Sequence, residues 1–168
     1  YQLNQMFEKL NSKLESKKNI RRNKPFDGIN KHISHTSNLS IINKNKIQSK
    51  KYNVAIDAVN GAASIALPSL LKLLGCNVFE INCVPNGIPS RGMEPIKENL
   101  NDICAFIKEN NIDVGFATDP DGDRLSVIDS NGKPLGEELT LPICVTSLLN
   151  GTLSNTTIIT NLSTSMTL

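Results

Sequence analysis

The sequence contains no tryptophan, and only 4% of its residues are aromatic. Its longest apolar run falls far short of the roughly 18 residues needed to cross a bilayer. Nothing near Tyr1 has the pattern of a secretory signal. The four cysteines, Cys76, Cys83, Cys104 and Cys144, include no pair at the C-x-x-C spacing of a zinc or redox site. These absences argue against a membrane protein and against a cysteine-built metal module. Cys76, Cys104 and Cys144 lie in apolar stretches and read as small core residues, a usage that fits a reducing cytoplasm.

Strong charge of one sign is also missing, for the net charge is only +2. Hydrophobic residues at 39% and charged residues at 20% are ordinary for a soluble globular protein. The near-balance conceals an asymmetry. Lys and Arg crowd the first 51 residues, whereas the stretch from Glu94 to Glu138 is acidic. The basic segment alternates with Asn and Ser and lacks the aromatic platforms that a single nucleic acid strand would stack on, so it is read as solvated surface or linker. At 168 residues the chain has room for one domain with a real core plus further material. It begins with Tyr1 and stops inside a Ser/Thr-rich stretch, so a piece of a longer protein is expected.

Periodicity divides the chain. Leu3, Met6, Phe7, Leu10 and Leu14 fall at helical spacing and predict a helix over residues 1–18. From Lys17 to about Lys51 the hydrophobicity is low; a linker is expected there, with room for a short helix between His32 and Ile47. The pattern then sharpens. Tyr52–Val59 reads as a buried strand, Asn60-Gly61 as a tight turn, and Ala62–Leu74 as a helix stopped by Gly75, with Pro68 expected to kink or shorten it. Asn77–Cys83 is a second strand, and Pro85–Pro95 a loop. Ile96, Leu100, Ile103, Phe106 and Ile107 mark one face of an amphipathic helix. Ile112–Thr118 and Arg124–Asp129 predict two further strands, able to form a hairpin at one edge, before a helix from Gly136 to about Leu149. Thr157–Asn161 reads as one more strand. The alternation predicts an α/β fold, a three-layer α/β/α sandwich with a mainly parallel sheet.

The chemistry concentrates in Asp119-Pro-Asp121-Gly-Asp123-Arg124, which lies between two apolar strands. A plain turn there would need no more than one Asp. Three carboxylates at alternate positions repel one another and raise their own pKa values, a cost that a divalent cation removes. Hard oxygen donors suit Mg2+ or Ca2+. Arg124 adds a fixed cation fit to grip a phosphate through two parallel hydrogen bonds. An EF-hand loop fails on its sixth position, Arg124 where Gly belongs, and on its twelfth, Ser130 where Glu belongs. A haloacid-dehalogenase-type phosphatase would use Asp119-Pro-Asp121-Gly122. Asp123 is wrong for that family's next position, and Glu137-Glu138 is a poor stand-in for its downstream acids.

Thr118-Asp-Pro-Asp-Gly-Asp-Arg124 resembles the D-x-D-x-D-R metal-binding loop of the α-D-phosphohexomutases. Val54–Gly61, Pro85-Asn-Gly87 with Glu94-Pro95 and Glu98–Leu100, Asn131–Gly136 and Thr160–Met166 resemble further segments of that family in the same order. The resemblance covers about residues 50–168, with the flavour of the phosphoglucosamine mutase or phosphomannomutase branch. It implies a domain of a cytoplasmic isomerase that interconverts hexose 6-phosphate and 1-phosphate through a phosphoserine and a bisphosphorylated intermediate. It implies Asp119, Asp121 and Asp123 as Mg2+ ligands, Arg124 as the catalytic phosphate-gripping residue, and a hexose phosphate and the remaining domains of the same chain as partners. Residues 1–48 would be the tail of a preceding domain and a linker, 49–150 the metal-binding second domain, and 151–168 the start of the next. The family's Thr-x-Ser-His-Asn-Pro loop is absent. Ser34-His35 is followed by Thr36-Ser37 and is not that loop, so the piece is expected to be inactive alone. A stand-alone divalent-cation-binding module is the competing reading. Among the other polar residues, Asp57 is read as closing a strand end or bracing the loop. Gly61 is read as a turn former rather than an anion site, Arg91 as solvent-facing, and His32 and His35 as lacking partners.

Overall fold

A computed structural model describes residues 27–149, 157–160 and Thr164. The helix predicted over residues 1–18 lies outside these. Four strands form one sheet: β1 (Asn53–Asp57), β2 (Asn77–Ile81), β3 (Val114–Thr118) and β4 (Leu125–Ile128). Their order is β2-β1-β3-β4. β1 pairs in parallel with both β2 and β3, and β4 runs antiparallel to β3 with Thr118 opposite Leu125. The helices are α1 (Gly28–Ser37), α2 (Lys44–Lys50), α3 (Ala63–Leu73), α4 (Asn101–Glu109) and α5 (Thr140–Leu149).

Period-two alternation along the strands sorts side chains to two faces. Val54, Ile56 and Ala58 pack with Ala63, Leu67 and Leu71 of α3 and with Val114 and Phe116. Ala55 and Ala117 turn the other way, toward Leu100, Ile103 and Ile107 of the α4 side. Gly115 also suits that face, because a Cβ there would run into Ile107 Cδ1. The chain leaves β1 in one direction through α3 to β2, then returns across β1 through α4 to β3. Right-handed crossovers taken in opposite directions place their helices on opposite faces, which yields the three layers. The C-terminal ends of β1 and β3 therefore lie side by side where the strand order reverses, the place where open α/β sheets bind ligands.

Local signals explain the boundaries. α3 ends in a Schellman motif: Cys76 N–H donates to Leu71 O, Gly75 N–H to Lys72 O, and Gly75 holds φ +80°. Pro68 lies inside α3 without ending it: the helix runs from Ala63 to Leu73, one residue inside the expected span at each end, with Pro68 buried within it. A proline ring withholds one N–H, here the partner of the Ser64 carbonyl, and the apolar face of Leu67 and Leu71 holds the helix to the sheet regardless. The polar stretch before β1 is helical in two places. α1 is capped by Asp27, whose carboxylate accepts from Asn30 N–H at 3.1 Å, and buries Ile33 and Ser37 where it lies against α3. Residues 157–160 form no strand, Asn161 at the end of the expected strand lies outside the described residues, and among the described residues the sheet takes in none beyond β4. Cys144, expected in the core, is exposed, as α5 buries none of its residues. No helix among the described residues is long and apolar enough to cross a membrane.

Candidate metal centre

β3 ends at Thr118, and the next residue opens the acidic loop. Asp119 is buried, whereas Asp121 and Asp123 are exposed. The loop folds around its first acid: Asp119 Oδ1 accepts the N–H groups of Gly122 and Arg124, both at 3.1 Å. Gly122 makes this closure by adopting φ +77°, a conformation open to glycine at little cost. The result brings one carboxylate oxygen from each of Asp119, Asp121 and Asp123 within 4.8 Å of one another.

The donor set fits a hard divalent cation. Oxygens sharing one Mg2+ lie about 3–4 Å apart, given Mg–O bonds near 2.1 Å, so the three carboxylates need only a small contraction to meet at one ion. The protonation balance of the loop agrees. Burial works against the charge of Asp119. The Arg124 N–H and a proton shared with the Asp123 and Asp121 carboxyls outweigh it and hold its pKa below the ordinary value. Asp123 moves the opposite way: its hydrogen bond to Asp119, then repulsion from Asp121 and Asp119, push its pKa up. Three acids so placed resist carrying three full charges together, and a cation relieves that.

Arg124 stands beside the cluster, its Nε 3.9 Å from Asp119 Oδ2 and its Nη1 3.3 Å from Glu94 Oε1. Its side chain is half exposed, so the guanidinium is within reach of an incoming group. The far side of the loop rests on the start of α3. Ala62 N–H, a donor left over at the helix N-terminus, bonds to Pro120 O at 2.8 Å. Gly61 allows that approach, because a Cβ there would overlap the Pro120 carbonyl.

Some expectations change. Arg91 is not solvent-facing. Its side chain is 7% exposed and paired with Asp57, itself 1% exposed, at 3.0 Å. A lone arginine between Ser90 and Gly92 carries no sequence mark of burial; the one available clue is an unexplained Asp at the end of the first strand. Asp57 does brace its surroundings, accepting from Val59 N–H at 2.9 Å and Asn82 Nδ2 at 3.0 Å. His32, read without partners, lines a cleft between α1, α3 and the acidic loop together with Thr118, Asp121 and Leu125. His35 and Ser34 are exposed on α1.

Residues 30–132 match the family described as "Phosphoglucomutase/phosphomannomutase, alpha/beta/alpha domain II". A "Phosphoglucomutase/phosphomannomutase" of Thermococcus kodakarensis is 38% identical over 119 residues, covering 68% of this chain and 26% of its own. A "Probable phosphoglucosamine mutase" of Pyrococcus horikoshii is 42% identical over 92 residues, 55% of this chain and 20% of its own. The crystal structure of a phosphoglucomutase/phosphomannomutase family protein from Burkholderia thailandensis superposes with a TM-score of 0.60 at 25% identity, covering 76% of this chain and 27% of that one. The chain thus spans about a quarter or less of the length of these curated relatives. The match over residues 30–132, more than half of the chain, shows that this chain belongs to the phosphoglucomutase/phosphomannomutase family and carries its α/β/α domain II.

Proposed function

We propose that the chain supplies the Mg2+-binding domain of a cytoplasmic phosphohexomutase that interconverts the 6-phosphate and 1-phosphate of glucosamine, mannose or glucose. The observation that carries this reading is the convergence of Asp119, Asp121 and Asp123 within 4.8 Å at the sheet's switch point, beside Arg124. Phosphoryl transfer asks a protein for positioning and charge neutralisation more than for covalent chemistry. Bound Mg2+ would supply Lewis-acid neutralisation of the phosphoryl oxygens. Asp119, fixed by its own loop, would set the position of the site, and the exposed Asp121 and Asp123 would close on it from solvent. Arg124 would exchange Glu94 for the phosphoryl group and hold it in line.

The phosphoserine that donates and recovers the phosphoryl group would come from another domain of the same polypeptide, which leaves this piece inactive alone. Residues 49–150 are proposed as the domain, 151–168 as the start of the next, and 1–48 as preceding tail and linker, with α1 docked on α3 as an extension of the domain. A phosphatase using Asp119 as nucleophile is disfavoured, since Asp119 Oδ1 is already engaged by two N–H groups.

The test joins this chain to its serine-bearing portion and measures isomerisation of glucosamine, mannose and glucose phosphates. Activity on at least one substrate is expected, with Asp121→Ala lowering it at least about 100-fold, as loss of a charge-stabilising group does. Mg2+ binding without isomerisation of any hexose phosphate would establish a cation-binding module instead. An aspartyl-phosphate trapped at Asp119 would establish the phosphatase.

A further inference from the structure

Asp119 is flanked by two peptide carbonyls, those of Thr118 and Pro120, and both are held from outside the loop. Arg91 Nη2 donates to Thr118 O at 2.8 Å. Ala62 N–H donates to Pro120 O at 2.8 Å. Both holds trace back to one carboxylate. Arg91 is anchored by Nε to Asp57 Oδ2 at 3.0 Å, and Nη2 also lies 3.5 Å from Asp57 O. On the other side, Asp57 Oδ1 accepts Val59 N–H at 2.9 Å, where Val59 and Asn60 sit at φ +47° and +58°. Such angles are costly for a β-branched residue and persist only when the surroundings enforce them. That enforced turn delivers Gly61 and Ala62 against Pro120.

A buried ion pair is a weak source of stability, because desolvation offsets the attraction. Nor can this pair draw a cation electrostatically, since the charges of Asp57 and Arg91 cancel. What it does supply is geometry. The planar guanidinium bridges the end of β1, the end of β3 and, through Nη1 to Gly92 O at 2.8 Å, its own loop. A lysine ammonium cannot span those points.

We infer that Arg91, anchored by Asp57, is a positioning residue that presets Asp119 for metal binding without touching the metal. The inference rests on the Mg2+ reading above and adds to it a dependence of metal affinity on a buried ion pair. Two readouts test it in the 168-residue chain. One is Mn2+ affinity by electron paramagnetic resonance, with Mn2+ standing for Mg2+. The other, taken without metal, is hydrogen exchange at the Gly122 and Arg124 amides that bond to Asp119. Arg91→Lys, with its charge kept, is expected to weaken Mn2+ binding about tenfold or more, the usual scale for residues that orient ligands, and to speed exchange at both amides. Asn82→Ala removes a second hydrogen bond to the same Asp57 oxygen but leaves Arg91 and its bond to Thr118 O in place, and both readouts are expected to stay within about twofold. Should Arg91→Lys fail to fold, the neutral pair Asp57→Asn with Arg91→Gln replaces the ions at similar shape and is expected to show the same two losses. Unchanged affinity and exchange in the Arg91 variants, or equal losses in Asn82→Ala, would overturn the inference. A wild-type chain that takes up no Mn2+, yet shows faster exchange in Arg91→Lys, would sink the metal reading and leave the positioning role standing.

Discussion

Gly61 shows how much of the site depends on a side chain being absent. Ala62 reaches the Pro120 carbonyl only because nothing projects from the residue before it. Gly61→Ala is therefore expected to push the acidic loop outward, destabilise the fold by about 1–3 kcal/mol as overpacking does, and weaken metal binding. Chemical denaturation read alongside Mn2+ titration checks both effects. The acidic triad was legible in the sequence because three carboxylates at alternate positions between apolar strands have few other uses. Arg91 was not. Its burial is decided by Asp57, 34 residues earlier, and by a loop whose Pro and Gly content is the same for a wandering loop as for one folded back on the sheet.

At the scale of elements, α4 is the clearest case of sequence meeting structure. Its apolar spacing predicts a buried face, and Ile103 and Ile107 are 0% and 1% exposed against Ala55 and Ala117, whereas Ile96, placed on the same face, precedes the helix and is 39% exposed. Ile107→Ala is expected to cost about 2–5 kcal/mol, read from the midpoint shift in urea, since it opens a cavity over Gly115. The β3–β4 hairpin was also foreseen, although both strands prove shorter at their ends than their apolar runs. Helices α1 and α2 were hardly visible. Only Ile33 and Ser37 of α1 are buried, and α2 buries nothing, so neither writes a hydrophobic stripe. Their caps, Asp27 and Asn43, were the available signals, in a stretch where Asn and Ser are common enough to mask them.

For the whole molecule, charge sets the acid limit. Asp27 and Asp129 are held below the ordinary 3.8, Asp27 by its side-chain hydrogen bond with Asn30 and Asp129 by the Lys133 N–H. A lowered folded pKa means the unfolded chain binds the proton more tightly. Their contribution is thus complete above the unfolded value and is lost as pH falls through the lower folded one. Urea titrations between about pH 2 and 6 should show stability declining below about pH 4. The double variant Asp27→Asn, Asp129→Asn should show a shallower decline, because asparagine retains an acceptor but does not titrate.

The antiparallel strand at the margin has a consequence of its own. Among the described residues β4 borders β3 alone, apart from a single bridge between Ile128 and Pro134, and the turn that joins it to the sheet is the acidic loop itself. An ion gripped in that turn would act as a stitch at the hem of the sheet, raising the energy needed to peel β4 away while leaving the β1–β2 seam untouched. With an ion bound there, chelation should accordingly speed amide exchange in Leu125–Ile128 far more than in Asn53–Asp57, so that the sheet would fray first along the border that holds the acidic loop.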